Sequence, residues 1–192
     1  MTGGEAANVI SDETAYRRYL EGEEKAAEIL VERYGDALTL YINGYLKDPD
    51  EAEDLMIEAF SQIFARERPI HGEGAFRAYL YKTARRLALR FKRKKQFRLL
   101  QPDELDFEPQ SDALTDMEFL RSEQRRQLYD ALARLKAEYR EALYLVYLAQ
   151  LSYRSAGKVM GKSEAQITNL VHRGKQSLRQ ILEQEGFTRA DE

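Results

Sequence analysis

The chain has 192 residues, of which 43% are hydrophobic and 33% are charged, and it contains no cysteine. A composition rich in helix formers and poor in Gly and Pro is typical of one or two small helical domains, and the lack of cysteine excludes disulfides, thiolate metal sites and cysteine nucleophiles. The net charge of −3 conceals a strong alternation, because residues 48–58 and 103–118 are acidic whereas 76–98 and 154–179 are basic.

The first predicted core helix covers residues 25–46, where apolar residues recur at steps of three and four. A second helix is predicted to begin after Asp48, which serves as its N-cap, with Pro49 at the first helical position. One face of this helix is apolar and belongs to the core. The other face carries an acidic ridge, which is simplest to interpret as a solvated surface and consists of Asp50, Glu51, Asp54 and Glu58.

The third predicted helix follows a loop over residues 66–75 and contains the strongest charge bias in the chain. Ten basic residues and no acidic ones lie between Glu73 and Asp103. A helix that is merely soluble normally mixes charges of both signs, so this bias favours a polyanionic partner over a solvated face. Aromatic residues interleaved with the basic ones favour nucleic acid with unstacked bases over a membrane surface.

Residues 97–114 are predicted to form an acidic interdomain linker, because the helical periodicity stops there and two prolines appear. The fold prediction is therefore all-α, with two small helical domains, 1–96 and 115–192, joined by this linker. A capping box formed by Thr115 and Glu118 is expected to open the second domain. Helices are then predicted to about residue 135 and over about 138–150.

The C-terminal segment carries the most specific structural motif. Ser152 is predicted to cap a short helix that ends at Met160, and Gly161 to supply a left-handed turn. Ser163 and Gln166 form a capping box for a longer helix. Two helices joined by a tight glycine turn are typical of a helix-turn-helix, whose second helix enters the major groove of DNA. An ordinary helical hairpin is the alternative interpretation.

Little in the sequence indicates catalysis. The two histidines, His71 and His172, lie far apart without a second ligand at helical spacing, so no metal site is expected. No strand is predicted that could carry a Ser, His and acid constellation. We therefore expect no enzyme activity and no cofactor. The polar N-terminus and the lack of a long apolar run predict a cytoplasmic protein without membrane insertion.

Three stretches, in order along the chain, resemble conserved regions of the extracytoplasmic-function sigma factors, the compact two-domain bacterial transcription initiation factors. The stretch "DPDEAEDLMIEAFSQIF" is similar to region 2.2, "FRAYLYKTARRLALRFKRKK" to regions 2.3 and 2.4, and "LSYRSAGKVMGKSEAQITNLVHRGKQSLR" to region 4.2. The resemblance implies a factor that binds core RNA polymerase and directs it to promoters by recognising the minus-ten and minus-thirty-five elements.

Residue roles are implied by the resemblance, position by position. The acidic ridge is implied to bind polymerase. Contacts to the melted minus-ten element are implied for residues of the basic helix, namely Arg77, Tyr79, Lys82, Arg86, Arg90, Lys92 and Arg93. Contacts to the duplex minus-thirty-five element are implied for residues of the helix-turn-helix, namely Lys162, Ser163, Glu164, Thr168, Asn169, His172, Arg173, Lys175 and Arg179.

Core RNA polymerase and promoter DNA are thus the expected partners, and an anti-sigma factor is a further partner that such a protein can have. Two other functions stay open on the residues alone. One is a helix-turn-helix regulator that binds duplex DNA by itself, and the other is a helical interaction protein whose basic helix binds RNA or an acidic protein. The sigma-factor hypothesis expects two separate bundles, each with its cationic surface exposed.

Overall fold

The computed structural model describes residues 10–99 and 123–184, and every regular element in these ranges is a helix. The N-terminal domain contains α1 (Asp12–Leu20), α2 (Lys25–Leu46), α3 (Pro49–Phe64) and α4 (Ala75–Leu99). The C-terminal domain contains α5 (Glu123–Ala133), α6 (Ala137–Leu143), a π-helix (Tyr144–Leu148), α7 (Tyr153–Met160) and α8 (Glu164–Gln184). The prediction of an all-α protein with two helical domains is confirmed.

Helix α1 has no counterpart among the predicted elements, because its nine residues are too few to carry a clear apolar period. Its N-terminus is capped by Ser11, whose hydroxyl accepts the backbone N–H of Thr14 at 3.2 Å. Tyr16 is buried, and its ring centroid lies 5.3 Å from that of Phe76. Tertiary packing against the start of α4, rather than local pattern, therefore stabilises this helix.

Helices α2 and α3 follow the predicted boundaries. Lys47 adopts a left-handed conformation (φ 58°) that ends α2. Asp48 then caps α3 by accepting the backbone N–H of Glu51 at 3.3 Å, and Pro49 is the first helical residue. The buried side of α3 consists of Ala52, Leu55, Ala59, Phe60 and Ile63. The acidic side is left facing solvent.

Helix α4 is the basic helix, and it begins after two glycines with positive φ, Gly72 and Gly74. It continues to Leu99, so it extends through the first three residues of the predicted linker. The rest of that linker and the Thr115 capping box lie outside the described residues. The side chains that α4 buries are Phe76, Leu80, Tyr81, Ala84, Leu87 and Ala88.

The predicted helix-turn-helix is present. Helix α7 ends at Gly161 in a left-handed conformation (φ 68°), and α8 opens with a reciprocal capping box. Ser163 accepts the N–H of Gln166 at 3.2 Å, while the Gln166 side chain accepts the N–H of Ser163 at 2.8 Å. The segment after the turn passes close to Gly157 of α7. Only glycine fits at this position, because a Cβ there would lie 2.6 Å from the carbonyl oxygen of Lys162.

The two domains pack against each other, which differs from the expected separate bundles. Their buried side chains form one continuous core, in which the Tyr144 ring lies 5.4 Å from Tyr41 and 6.4 Å from Tyr81. Part of the cationic face of α4 points into this interface rather than into solvent. The cationic surface of α8 is exposed as expected, whereas the expectation fails for part of α4, since Arg77 and Arg85 both bond to the C-terminal domain.

Candidate nucleic-acid and protein interfaces

The acidic ridge lies on the solvent side of α3. Asp50, Asp54 and Glu58 are exposed at steps of four residues, and Glu51 is half-buried beside them. Between these carboxylates lies Ile57, which is 53% exposed and was not among the predicted site residues. Its position off the apolar stripe is the sequence signal that could have identified it. An exposed aliphatic side chain framed by acids suits docking of a protein surface that is basic at its rim.

The basic stripe of α4 is the set of side chains that recur at steps of three and four along one side of the helix. They are Tyr79, Lys82, Arg86, Arg90 and Arg93, of which Tyr79 is half-buried and the others are exposed. Lys92 is exposed on a neighbouring side of the helix. The stripe places five of the predicted minus-ten residues on one surface, where a polyanion could run along the helix.

A groove beside the basic stripe has a volume of about 460 Å³ and brings in a residue that the sequence did not predict. Arg66, in the loop after α3, donates to the Tyr79 hydroxyl at 2.7 Å. Arg86 donates to Gln62 of α3 at 2.6 Å, which fixes its guanidinium at the groove edge. Val159 of α7 also lines the groove, so the C-terminal domain forms part of its wall.

Arg77 is placed differently from the rest of the predicted minus-ten set. Its side chain is 24% exposed, pairs with Asp12 and donates to the Tyr34 hydroxyl at 2.9 Å. Burial, together with the hydrogen bond to Asp12, raises the pKa of Tyr34 to about 12. Arg77 also donates to the backbone carbonyls of Ala149 and Gln150 at 3.3 and 3.4 Å. Binding to DNA would require Arg77 to leave these partners.

Helix α8 presents the predicted minus-thirty-five residues on its exposed side. Ile167, Val171 and Gly174 are buried, whereas Asn169 and His172 lie on the opposite side of the helix. Ser163, Thr168 and Arg173 are exposed as well. The first turns of α8 therefore offer short polar side chains at an accessible helix end, which is the geometry that base-edge recognition in a major groove requires.

The remaining charged residues of this surface have intramolecular partners. Glu164 pairs with Arg154 at 3.5 Å, Lys162 with Glu138 at 2.8 Å and Arg179 with Glu183 at 2.6 Å. These pairs are solvent-exposed at one or both partners and are weak enough to exchange for phosphate.

Lys175 lies over an aromatic ring at the edge of the same surface. Its ammonium is 4.7 Å from the centroid of Tyr147, a side chain that is 49% exposed. The hydrogen bond between them raises the pKa of Lys175 and lowers that of Tyr147. The contact with Tyr147 holds the Lys175 ammonium at the edge of the helix-turn-helix, where the charge can contact a phosphate.

Within residues 10–99 and 123–184, no group of His, Cys, Asp and Glu side chains is arranged to hold a metal ion. None of the helices in the same ranges is both long and apolar enough to span a membrane.

Family models match both halves of the chain. The sigma-70 region 2 model matches residues 30–98, and the sigma-70 region 4 model matches residues 125–178. The chain belongs to the extracytoplasmic-function group of the sigma-70 family. Region 2 thus contains the acidic ridge and the basic stripe, while region 4 contains the helix-turn-helix.

Proteins with similar sequences carry the names of sigma factors, which is consistent with this assignment. The chain is 29% identical over 169 residues to the ECF RNA polymerase sigma factor BldN of Streptomyces coelicolor, a match that covers 84% of this chain and 62% of that protein. It is 25% identical over 165 residues to the ECF RNA polymerase sigma factor SigX of Bacillus subtilis, covering 83% of this chain and 85% of SigX.

A solved structure shares the fold. The sigma factor RpoE of Bartonella quintana, crystallised with the anti-sigma factor NepR, superposes with a TM-score of 0.61 at 20% identity. The superposition covers 81% of this chain and 96% of RpoE.

Proposed function

We propose that this sigma factor binds core RNA polymerase through the acidic ridge of α3 and directs it to promoters by reading two DNA elements. The basic stripe of α4 binds the melted minus-ten element, and the exposed side of α8 binds the duplex minus-thirty-five element. The protein itself catalyses no reaction, because the polymerase forms every bond, and it works in the cytoplasm, where polymerase and DNA are found.

The observation that carries this proposal is that an acidic surface on α3 and a basic surface on α4 are separate within one sigma-70 fold. A ridge of carboxylates around Ile57 suits a protein partner, whereas a stripe of arginine, lysine and tyrosine suits single-stranded DNA through phosphate pairing and base stacking. A stand-alone regulator that binds duplex DNA would need only the helix-turn-helix. It would not explain a second cationic surface interleaved with aromatic residues.

A charge-reversal experiment tests the polymerase interface. The double variant Asp54→Lys and Glu58→Lys should lose more than about tenfold in affinity for core polymerase, because two attractive charges become repulsive at the interface. Co-purification with core enzyme and run-off transcription measure the loss. Glu28→Lys with Glu32→Lys is the matched control, since these acids are also exposed and one turn apart, on α2.

Equal binding by both double variants would refute the ridge assignment. Tight binding of the wild-type chain to a duplex operator in a gel shift without polymerase, combined with no run-off transcript, would favour the stand-alone regulator instead.

We also propose that an anti-sigma factor binds this chain when it is stored without polymerase. The proposal follows from the relative RpoE, which is seen in complex with the anti-sigma factor NepR. Such a partner would have to cover either the acidic ridge or one of the cationic surfaces to be inhibitory.

A further inference from the structure

The basic stripe of α4 leads to an exposed aromatic side chain, Phe97, one turn beyond Arg93. Phe97 is 65% exposed, more than any other large hydrophobic side chain in residues 10–99 and 123–184. It follows Tyr79 by eighteen positions, which at about 3.6 residues per turn is about five full turns of helix. Phe97 and Tyr79 therefore project from the same side of α4, about 27 Å apart along the helix axis.

The apolar side of α4 ends before Phe97 is reached. Phe91 is half-buried and packs against the core, whereas Phe97 lies outside that core. One turn after Phe91 the helix carries Lys94, which is exposed, and Lys95, which pairs with Asp48 at 3.5 Å. The N-terminal domain thus completes its core without Phe97, and replacing this residue should not disturb the fold.

The surroundings of Phe97 are cationic. Arg93 and Lys94, the residues one turn before it, are both exposed. The sequence has no acidic residue between Glu73 and Asp103. An exposed ring among cations suits a partner that is both anionic and planar. Single-stranded nucleic acid is such a partner, because its phosphates pair with the cations and its bases offer flat faces to the ring.

The distance between the two rings matches a short strand of DNA. Between the rings lie four cations of the basic stripe, namely Lys82, Arg86, Arg90 and Arg93. A span of about 27 Å holds about eight nucleotides at the stacked spacing of about 3.4 Å, and fewer if the strand is extended. Single-strand sites of about 4 to 16 nucleotides are known in OB-folds. The spacing is fixed, because α4 is continuous over Ala75–Leu99 and Arg66 holds the Tyr79 hydroxyl at 2.7 Å.

We propose that Phe97 is a second stacking residue of this interface, which binds an unpaired base at the end of the basic stripe opposite Tyr79. The proposal rests on the proposed function, because the strand is that of the melted promoter. The cations of the stripe pair with phosphates of any sequence, and stacking on an aromatic ring is equally tolerant of base identity. Phe97 therefore lengthens the contact with the strand and slows its release, rather than selecting its sequence.

Binding of single-stranded DNA to the sigma factor assembled with core polymerase tests this role. The probes are strands of about 4 to about 12 nucleotides with 2-aminopurine at one end or the other, since stacking quenches the fluorescence of this base. Phe97→Ala should weaken binding of the longest strand about tenfold, the size expected for loss of one stacked base, and should relieve the quenching at one end only. Lengthening the strand should raise the affinity of the wild type more than that of Phe97→Ala.

Further variants separate stacking from other contributions. Phe97→Trp keeps an aromatic face and should retain affinity and quenching, whereas Phe97→Leu keeps an apolar side chain without a ring and should behave like Phe97→Ala. Leu128→Ala is the matched control, since it also removes an exposed apolar side chain (37% exposed), on α5. The slope of log affinity against log salt should be unchanged in Phe97→Ala, because no phosphate contact is removed. Circular dichroism checks that each variant keeps its helices.

Each way in which the proposal can fail has its own result. Wild-type affinity and quenching in Phe97→Ala would overturn it, and so would wild-type behaviour of Phe97→Leu, which would indicate apolar contact without stacking. Weaker binding of Phe97→Ala to core polymerase, or to vesicles of phosphatidylglycerol, with DNA binding unchanged would assign Phe97 to a protein or a membrane contact instead. Absence of run-off transcripts from the wild type would refute the proposed function and with it the promoter role of Phe97. Normal transcription by the wild type, combined with unaltered DNA binding by Phe97→Ala, would refute the stacking role alone.

Discussion

Asn169 lies opposite the buried side of α8, in the second turn of the helix, where a short amide can reach a base edge. If it reads adenine or another base, Asn169→Ala should cost about 1 to 3 kcal/mol on the preferred promoter and much less on others. Competition between promoter sequences in transcription with polymerase measures this difference. Gln180→Ala is the control, because Gln180 is an exposed side chain on the same helix about 16 Å further along. An equal loss on all sequences would assign Asn169 to positioning.

Gly157 shows how one missing Cβ shapes the helix-turn-helix. Gly157→Ala should lower the free energy of unfolding by about 1 to 3 kcal/mol, because the new methyl group would overlap the Lys162 carbonyl oxygen at 2.6 Å. Urea unfolding measures the loss. The same change at Gly35, in α2, meets no atom within 4 Å and should be neutral or stabilising. A neutral Gly157→Ala would show that the turn can relax.

At the scale of the element, α4 combines core and DNA-facing surfaces in one helix. Its apolar side closes the N-terminal domain, and its basic side is open to solvent over the last turns, where Arg90 and Lys92 are exposed. A buried side of this kind fixes the rotation of the helix, so the charged side chains keep a constant direction relative to the acidic ridge of α3. The two proposed partners, core polymerase and the minus-ten element, therefore bind different sides of the N-terminal domain.

Neutralising the exposed charges of α4 should alter the salt dependence of open-complex formation. Arg90→Gln with Lys92→Gln should flatten the slope of log affinity against log salt by about 0.7 for each phosphate that the variant no longer neutralises. A salt titration of open-complex formation measures the slope. Arg17→Gln with Arg18→Gln, on α1, removes the same charge from exposed positions elsewhere and should leave the slope nearly unchanged. Equal slopes in all three proteins would show that this part of α4 does not meet phosphates.

At the scale of the whole molecule, the packing of the two domains against each other depends on neutral phenols. Tyr129 donates to Leu40 across the domain interface, and burial raises the pKa of Tyr129 to about 12 from an ordinary value of 10.0. Because the folded-state pKa is raised, the stabilisation is complete below about pH 10 and diminishes as pH rises toward about 12. The same direction holds for Tyr34, which orders Arg77.

Alkaline solution should therefore open the domains before it melts the helices. Energy transfer between fluorophores on Cys introduced at the exposed positions Lys25 and Gln180 should fall between about pH 10 and 12, together with the rise of tyrosinate absorbance. Tyr129→Phe should open more readily at neutral pH and show a smaller alkaline transition. If helical circular dichroism and energy transfer fall together at the same pH, the domain interface is not a separable unit.

Local sequence signals determined most of the helical framework. The Asp48 cap with Pro49, the Ser152 cap and the box of Ser163 and Gln166 act within one turn, so their outcome depends on neighbours in the chain alone. The acidic ridge and the basic stripe follow from helical periodicity in the same way, and the family resemblance was carried by these same segments. Helix α1 was not predicted, because its nine residues are too few to show a clear apolar period and the helix depends on tertiary packing.

Only the tertiary structure decided which basic residues are available. Arg77 and Arg85 look like their neighbours on α4, yet each finds a buried carboxylate from a distant segment, Asp12 for the first and Glu141 for the second. Such ion pairs form only where another helix packs against α4. Which helix does so is determined by how side chains from both domains pack in one core. Local charge pattern fixes how many cations a helix carries, whereas long-range packing fixes which of them remain available to DNA.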